Sequence, residues 1–162
     1  MSVLRLAGPA DASAVRALTR EAYAKWVAVT GREPLPMRVD YDEAVLKHRF
    51  DLLYEDDVLA ALIETAPASG NAPEDQPDHL LIVNVAVAPA FQGRGLGRRL
   101  MAHAEKIAIE AGFAEVRLYT NSLMAENIAL YRRLGYRIDR EQPFGTSIQV
   151  FMSKPVGTRR LA

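Results

Sequence analysis

The residues with the clearest chemical potential are three alternate glycines placed between an apolar and an amphipathic segment. Residues 80–89 read LLIVNVAVAP, residues 92–97 read QGRGLG, and residues 98–112 are amphipathic. Because a glycine has no Cβ, its backbone can adopt positive φ and bring N–H groups close to an anion. A strand, such a turn and a helix N-terminus in this order bind phosphate. The segment predicts a diphosphate site formed by Gly93, Gly95 and Gly97, with charge from Arg94, Arg98 and Arg99.

Two other phosphate-binding motifs fit this segment less well. A Walker loop requires Lys followed by Ser or Thr after its second glycine, and Arg98 and Arg99 stand there instead. A dinucleotide fold requires G-x-G-x-x-G and an acidic residue at the end of the next strand. The spacing here is G-x-G-x-G, and Glu115 begins the next predicted strand. A nucleotide-binding protein of another class and a plain glycine-rich turn stay as alternatives.

An amide and a phenol interrupt an apolar helical stripe further along the chain. Periodicity predicts a helix over residues 122–135, with Ser122 as N-cap and Gly135 as its stop. Its predicted buried face consists of Leu123, Asn127, Leu130, Tyr131 and Leu134. Side chains four positions apart are neighbours, so Asn127 lies beside Tyr131. Burying an unpaired amide costs about 1 to 3 kcal/mol, so Asn127 either anchors a loop or, with Tyr131, faces a ligand. The nearby phosphate site favours a ligand cleft.

Composition and charge exclude several classes of function. The chain has 162 residues with 49% hydrophobic side chains, which suits one globular domain over residues 1–162. Basic and acidic residues number 20 each, so no net field attracts nucleic acid or anionic lipid. The chain has no cysteine, which excludes a thiolate nucleophile, a disulfide framework and a Cys-type zinc site.

The histidines and the N-terminus point to neither a metal site nor a membrane. His48, His79 and His103 lack the spacing of metal ligands, so we expect no metal. The N-terminal apolar run is too short for a signal peptide, and no run of about eighteen apolar residues occurs. The sequence therefore predicts a cytoplasmic protein without a membrane partner.

Hydrophobic periodicity predicts the elements that hold these residues. Pro9, Ala10 and Asp11 open a helix that stops at Gly31, and its buried stripe consists of Val15, Leu18, Ala22 and Trp26. A second helix is predicted over residues 41–48. The helix after the glycines stops at Gly112 and buries Leu100, Met101, Ala104, Ile107 and Ala108. The predicted strands are residues 3–7, 50–54, 58–65, 79–88, 116–120, 136–140 and 147–153, with an exposed loop over residues 66–77.

Residues 80–140 resemble the GNAT superfamily of acyl-CoA-dependent N-acetyltransferases. The resemblance rests on QGRGLG, which fits the pattern Q/R-x-x-G-x-G/A, on the preceding VAVAP, and on ENIALYRRLGY at residues 126–136. It implies an α/β (α+β) fold with a mixed, largely antiparallel central sheet, splayed between strands 4 and 5 and flanked by helices. The cosubstrate implied is acetyl-CoA.

The resemblance also assigns roles to residues of the predicted cleft. Backbone at Val85 and Val87 pairs with the pantetheine arm, and Asn127 bonds the same arm. The pyrophosphate is held by backbone N–H groups of Gln92, Gly93, Arg94, Gly95, Leu96, Gly97 and Arg98. Tyr131 faces the thioester sulfur and is the candidate acid, while a neutral amine attacks the acetyl carbonyl directly.

The proton acceptor and the amine are less well defined by the sequence. Relatives often place a glutamate on the fourth strand as the base, whereas this strand has only Asn84, which cannot serve. Either a more distant group such as His79, Asp78 or Glu126 takes the proton through water, or the amine arrives neutral. Acceptor contacts are expected, weakly, from Trp26, Tyr41 and Asn84.

Two readings of the activity follow from the resemblance. The first is an active acetyltransferase for a small-molecule or peptide amine, in a family where homodimers are common. The second is a catalytically idle acyl-CoA-binding sensor or scaffold, which the missing strand carboxylate favours and the retained Tyr131 opposes.

Overall fold

A computed structural model describes residues 1–70 and 76–157 of the chain. The chain forms two compact units. The first unit comprises Met1–Thr65 and Asn84–Met101, and the second comprises Ala66–Val83 and Ala102–Ala162. The single domain expected over residues 1–162 stays a prediction.

The described residues contain seven strands and four α-helices. The strands are β1 (Ser2–Leu6), β2 (Arg49–Glu55), β3 (Val58–Ala68), β4 (His79–Val87), β5 (Glu115–Asn121), β6 (Arg137–Phe144) and β7 (Ser147–Pro155). The helices are α1 (Ala12–Thr30), α2 (Tyr41–Lys47), α3 (Leu96–Glu110) and α4 (Ala125–Arg133). Hydrogen bonds order the strands β1-β2-β3-β4-β5-β7-β6. The β4–β5 pair is parallel, with Leu80–Ile82 opposite Val116–Leu118. The mixed, largely antiparallel sheet is therefore confirmed.

The first unit is organised by the apolar face of α1. All four residues of the predicted stripe are buried, and Gly31 ends the helix at φ 80° with its N–H bonded to the Val27 carbonyl at 2.9 Å. The same core contains residues from α2, from β2, β3 and β4, and from the position after β4: Tyr41, Ala44, Phe50, Leu52, Leu62, Ala86 and Ala88. β2 and β3 form the predicted hairpin, and its turn places Asp56 and Asp57 at φ 46° and 69°. The pattern of the sequence therefore predicts this unit well.

The second unit contains β5, α4 and the β6–β7 hairpin. β7 pairs antiparallel with both β5 and β6, so it lies between them. The end of α3 also belongs to this unit, where Ala104 and Ala108 are fully buried, and Gly112 follows the helix at φ 84°. Every residue of β6 is exposed.

Two of the boundaries predicted from the sequence, the end of β3 and the start of α4, are wrong. β3 continues to Ala68, so the start of the predicted loop belongs to a strand, and residues 71–75 of that loop lie outside the described residues. α4 begins at Ala125 with Met124 as its N-cap, not at Ser122. The Asn121 side chain accepts the Leu123 N–H at 2.9 Å, and the Asn121 carbonyl accepts the Met124 N–H at 2.9 Å. Asn121 therefore holds a turn where the helix was expected.

That turn also changes the face of α4. Leu123, predicted to be buried, is 50% exposed because it lies in the turn before the helix. No residue of α4 is fully buried, although Asn127, Leu130, Tyr131 and Leu134 are partly buried. The predicted stripe thus keeps four of its members but covers less of the core than expected.

No helix within residues 1–70 and 76–157 is both long and apolar enough to cross a membrane.

The N-cap of α2 generates a test of this part of the fold. Asp40 Oδ1 accepts the N–H groups of Asp42 at 3.1 Å and Glu43 at 3.4 Å. We expect Asp40→Ala to lower the free energy of unfolding by about 1 kcal/mol, because two first-turn donors lose their acceptor. Urea denaturation measures it. Asp40→Asn, which keeps an acceptor at the same place, is the control, and its free energy of unfolding should fall much less. An equal fall in both variants would contradict the capping role of Asp40.

Candidate active site

The turn between β4 and α3, residues 92–98, is called the glycine turn here. Gly93 and Gly95 have φ 78° and 77°, a conformation that side chains with a Cβ rarely adopt. The first helical hydrogen bond of α3 joins the Arg99 N–H to the Gly95 carbonyl at 3.0 Å. The N–H groups of Leu96, Gly97 and Arg98 therefore precede the helical ladder and can bond an anion.

The three glycines are not equally constrained. A Cβ on Gly93 or Gly95 would meet no atom within 4 Å, so conformation and not space demands glycine at both positions. Gly97 lies inside α3 and has no positive φ, so the conformational requirement for glycine applies to Gly93 and Gly95 alone of the three. A Cβ on Gly97 would lie 3.8 Å from Val87 Cγ2, an ordinary van der Waals contact.

Positive charge surrounds the glycine turn without being buried in it. The three arginines of this segment are exposed, and the Arg94 guanidinium lies 5.2 Å from the centre of the Phe91 ring. That contact orders one guanidinium beside the turn. The chain has a formal net charge of zero, so this cluster is a local feature.

The end of β4 directs part of its backbone away from β3. The Ala88 N–H donates to the Ala60 carbonyl at 2.8 Å, and alternate residues of a strand bond to opposite neighbours. Val85 and Val87 thus point their backbone groups to the other side. Their carbonyls accept side-chain donors, with the Tyr23 hydroxyl 3.2 Å from Val85 O and Gln92 Nε2 3.1 Å from Val87 O. This edge of β4 has the extended geometry expected of a pantetheine-binding strand.

A cluster of buried polar side chains lies in the first unit on the face of the sheet covered by α1 and α2. Asn84 Nδ2 lies 3.4 Å from both Thr19 Oγ1 and the Tyr41 hydroxyl. The Tyr41 hydroxyl donates to the Pro36 carbonyl at 2.6 Å. His48 Nδ1 lies 2.6 Å from Glu64 Oε2. We call Thr19, Tyr41, His48, Glu64 and Asn84 the polar cluster.

Burial and charge set the ionisation of this cluster. Burial raises the pKa of the Tyr41 phenol, and the Glu64 charge raises it further, so the hydroxyl stays protonated. Burial also raises the pKa of Glu64, while the hydrogen bond from His48 opposes that shift. Glu64 and Asn84 are 2% and 3% exposed, whereas the His48 side chain is 34% exposed. Of the His48–Glu64 pair, His48 is therefore the residue that reaches solvent.

The predicted acceptor contacts behave as core residues in this structure. Trp26 is 8% exposed with Lys25 Nζ 5.1 Å from its ring centre, and Tyr41 is 1% exposed with its ring edge-on to Phe50. Asn84 differs, because its Oδ1 is buried and has no hydrogen-bond partner among the described residues. Of the three, Asn84 is the one with an unused polar atom.

The second unit contains the predicted residues of α4. Asn127 is partly buried, and its Nδ2 lies 3.9 Å from Met124 Sδ, a weak contact. Tyr131 is partly buried, and burial raises the pKa of its phenol to about 12. Its ring packs edge-on against Tyr136 with ring centres 6.2 Å apart. The phenol of Tyr131 thus stays protonated at neutral pH.

Three alternative proton acceptors were named from the sequence, and each lies in the second unit. His79 is buried with its Nδ1 2.6 Å from Asp78 Oδ1, and that hydrogen bond lowers the pKa of Asp78. Glu126 is exposed in the first turn of α4. In the described part of the chain, no three His, Cys, Asp or Glu side chains are placed to bind a metal ion.

Sequence reasoning missed several polar residues of the first unit. Thr19 and Tyr23 lie four positions apart on the buried side of α1, where only the aliphatic stripe was noted. Glu64 was detectable, because it is an acid in the otherwise apolar segment LAALIETA, residues 59–66. From the sequence, His48 is considered only as a possible metal ligand, and its pairing with Glu64 carries no signal in the local sequence.

The sequence profile of the acetyltransferase (GNAT) family matches residues 14–136. The chain belongs to this family. The resemblance inferred from QGRGLG and ENIALYRRLGY is thereby confirmed, and the match extends upstream of both motifs to α1.

The curated relatives match over only part of their length. Mouse N-alpha-acetyltransferase 80 is 41% identical over 64 residues, which are 40% of this chain and 19% of that protein. Streptothricin acetyltransferase of Streptomyces lavendulae is 40% identical over 57 residues, which are 35% of this chain and 30% of that protein. The chain thus spans less than a third of either relative.

A solved structure supports the fold over nearly the whole chain. The PaiA N-acetyltransferase of Thermoplasma acidophilum, solved in complex with coenzyme A, has a TM-score of 0.77 at 18% identity. The match covers 96% of this chain and 99% of that one.

Tyr136 offers a test of burial in the second unit. It is 3% exposed, and its hydroxyl has no hydrogen-bond partner within the described residues. We expect Tyr136→Phe to raise the free energy of unfolding by about 1 kcal/mol, because the folded state no longer buries an unpaired hydroxyl. Tyr41→Phe, which removes a hydroxyl that is hydrogen-bonded to Pro36 and Asn84, should lower the free energy of unfolding. Thermal and urea denaturation of both variants measure these changes. A destabilised Tyr136→Phe would contradict the conclusion that the Tyr136 hydroxyl is buried without a partner.

Proposed function

We propose that the chain transfers an acetyl group from acetyl-CoA to a primary amine of a small molecule or peptide. The transfer is direct attack by the amine in a ternary complex. The observation that carries this proposal is the glycine turn, whose backbone N–H groups precede α3 and follow a strand edge at Val85 and Val87 that is turned away from β3. Family membership and the coenzyme A complex of the PaiA enzyme support it.

The glycine turn fits a pyrophosphate in both shape and charge. Donors at a helix N-terminus combine with the positive end of the helix dipole to favour an anion. The positive φ of Gly93 and Gly95 keeps the turn free of side chains at both positions, and nothing within 4 Å occupies the places where their Cβ atoms would lie. Arg94, Arg98 and Arg99 add exposed guanidinium groups. The site thus offers backbone donors at close range and side-chain charge around them.

The edge of β4 fits an extended amide-containing arm. A carbonyl oxygen has two lone pairs, so Val85 O can keep the Tyr23 hydroxyl and still accept another donor. The Gln92 side chain, which is exposed, bonds Val87 O and can exchange for a ligand amide. Asn127 contributes a partly buried amide from α4, with only a weak sulfur contact to lose. These residues would hold the pantetheine.

The residues of the chain would then act on the bound groups as follows. Acetyl-CoA supplies an acetyl group on a thioester, with a thiolate as leaving group. Tyr131 keeps its proton because its pKa is about 12, so it can donate a hydrogen bond to a sulfur that gains negative charge. The backbone donors of β4 can stabilise charge on the carbonyl oxygen. The chain has no cysteine, so a cysteinyl acyl-enzyme cannot form.

The identity of the acceptor amine is the broadest part of the proposal. One relative is named for N-alpha acetylation and another for streptothricin, so both peptide and small-molecule amines are included. A screen for acetyl-CoA-dependent thiol release across an amine library tests it. Tight coenzyme A binding with no turnover on any amine would favour the idle sensor or scaffold instead. A cytoplasmic location, a homodimer and the absence of nucleic-acid binding stay predictions.

The glycine turn predicts the effect of a negative side chain at one position. We expect Gly95→Asp to weaken coenzyme A binding by at least about tenfold, because a carboxylate beside the phosphates repels them. Gly31→Asp is the matched control, since Gly31 has φ 80° and equally open space for a Cβ. Both variants carry the same backbone strain, so both should have a lower melting temperature than the wild type. Calorimetry with coenzyme A compares them, and equal affinity in folded Gly95→Asp would refute the phosphate site.

Tyr131 generates a kinetic test. We expect Tyr131→Phe to lower kcat by about a hundredfold to ten-thousandfold, the usual contribution of a proton donor. Because the pKa of Tyr131 is about 12, the ratio of wild-type to variant kcat should stay constant between about pH 7 and 10. Tyr136→Phe, which alters the ring packed against Tyr131, is the control and should keep kcat. A fall of less than about tenfold at saturating substrates would assign Tyr131 to packing alone.

A further inference from the structure

A primary amine reaches the site mostly as an ammonium ion at neutral pH, so something must take its proton. β4 offers no carboxylate for this step, since Asn84 stands in its apolar run. We propose that Glu64 and His48 act as a pair that receives the proton of the acceptor amine. This inference rests on the proposed acetyl transfer. It names two residues that neither the sequence nor the family match assigns.

The first argument is the position of Glu64. Glu64 lies on β3 and Asn84 lies on β4, and these two strands are neighbours in the sheet. Tyr41 connects the two, because its hydroxyl is 3.4 Å from Asn84 Nδ2 and its pKa responds to the Glu64 charge. Asn84 is adjacent to Val85, whose backbone is proposed to hold the arm of acetyl-CoA. The carboxylate missing from β4 is thus supplied by the neighbouring strand.

The second argument is the missing hydrogen-bond donor at Asn84. The Tyr41 hydroxyl gives its proton to Pro36 O at 2.6 Å, so it can only accept from Asn84. The amide nitrogen of Asn84 must therefore face Tyr41, which directs Oδ1 away from it. Oδ1 is buried and has no partner among the described residues. Asn84 Oδ1 therefore lacks a hydrogen-bond donor. An N–H of the ammonium group, or a water that carries its proton, supplies this donor.

The third argument is the contrast in exposure within the pair. The Glu64 side chain is 3% exposed and the His48 side chain 34%, and the two meet at 2.6 Å. Before the reaction the imidazole is neutral and donates Nδ1–H to the carboxylate. The ammonium N–H bond then breaks and its electron pair stays on nitrogen, which becomes the nucleophile. The proton adds to the pair, leaving imidazolium and carboxylate, and passes from His48 to water.

The charged side chains around His48 and Glu64 are paired with one another, so the proton is assigned to the His48–Glu64 pair. From α2, Lys47 is paired with Glu43 at 2.6 Å, and from β2, Arg49 is paired with Asp51 at 2.9 Å. From α1 and β4, Thr19 and Asn84 contribute uncharged groups, and the Tyr41 phenol stays protonated. The pair must begin without the extra proton, so activity should rise with pH through its titration and level off above it.

Glu64→Gln tests the proposal, because it keeps the size and a hydrogen bond to His48 but binds no proton. We expect kcat/KM at pH 7 to fall at least about tenfold, and the deficit to shrink as pH rises toward the amine's own pKa. The deficit should also shrink with an acceptor analogue of lower amine pKa. His48→Gln should behave alike. Glu43→Gln, the same change in an exposed ion pair on α2, should match the wild type.

A measurement without turnover complements the kinetics. In the free protein, the NMR signals of the His48 ring should change in Glu64→Gln and stay as in the wild type in Glu43→Gln, because Glu64 Oε2 lies 2.6 Å from His48 Nδ1. Circular dichroism confirms that each variant folds. If Glu64→Gln does not fold, His48→Gln carries the kinetic test, since its side chain is partly exposed.

The outcomes separate this inference from the proposed function. Absence of turnover by the wild type on every amine would overturn the acetyl transfer and, with it, the proton acceptor. An active wild type with unchanged pH profiles in Glu64→Gln and His48→Gln would overturn only the pair. A changed pH profile in His79→Gln with a normal profile in Glu64→Gln would move the role to His79 and Asp78, which also form a histidine–carboxylate contact at 2.6 Å.

Discussion

The backbone N–H groups at the start of α3 have no carbonyl one turn earlier to bond, and the rest of the site depends on this constraint. The positive φ of Gly93 and Gly95 brings the chain from β4 into the helix without placing side chains over these donors. β4 must end close to the turn, as the bond from Gln92 Nε2 to Val87 O shows. The edge of β4 and the N-terminus of α3 thereby lie next to each other, which is the arrangement that the proposed acetyl-CoA site requires.

The first unit accepts an unusual density of buried polar groups around that strand. Burying a carboxylate is costly unless it is paired, and Glu64 meets this condition through His48. Asn84 is satisfied only in part, because its amide hydrogens have acceptors and its Oδ1 has none in the described residues. A fold selected for stability alone would place aliphatic side chains at both positions. The polar cluster is better explained by a reaction that moves a proton.

Much of this architecture could be predicted because its signals are local. The stripe of α1, the β2–β3 hairpin and the helix stops at Gly31 and Gly112 follow from periodicity and backbone freedom, and the structure confirms them. The start of α4 could not be predicted in this way. Ser122 is a good N-cap residue, but the Asn121 side chain accepts the Leu123 N–H and forms a turn there instead. Competition between two cap-forming side chains is decided by geometry that a pattern does not contain.

The sequence by itself determined the family, the mixed sheet and the place of the glycine turn, because each depends on residues close together in the chain. Only the tertiary structure decided which polar side chains meet. His48 and Glu64 are 16 residues apart, and Tyr41 and Asn84 are 43 apart. Their contacts exist because β2 pairs with β3, β4 lies next to β3, and α2 covers that face. Spacing along a chain predicts a helix face or a strand edge, whereas contact between distant residues requires the packed fold.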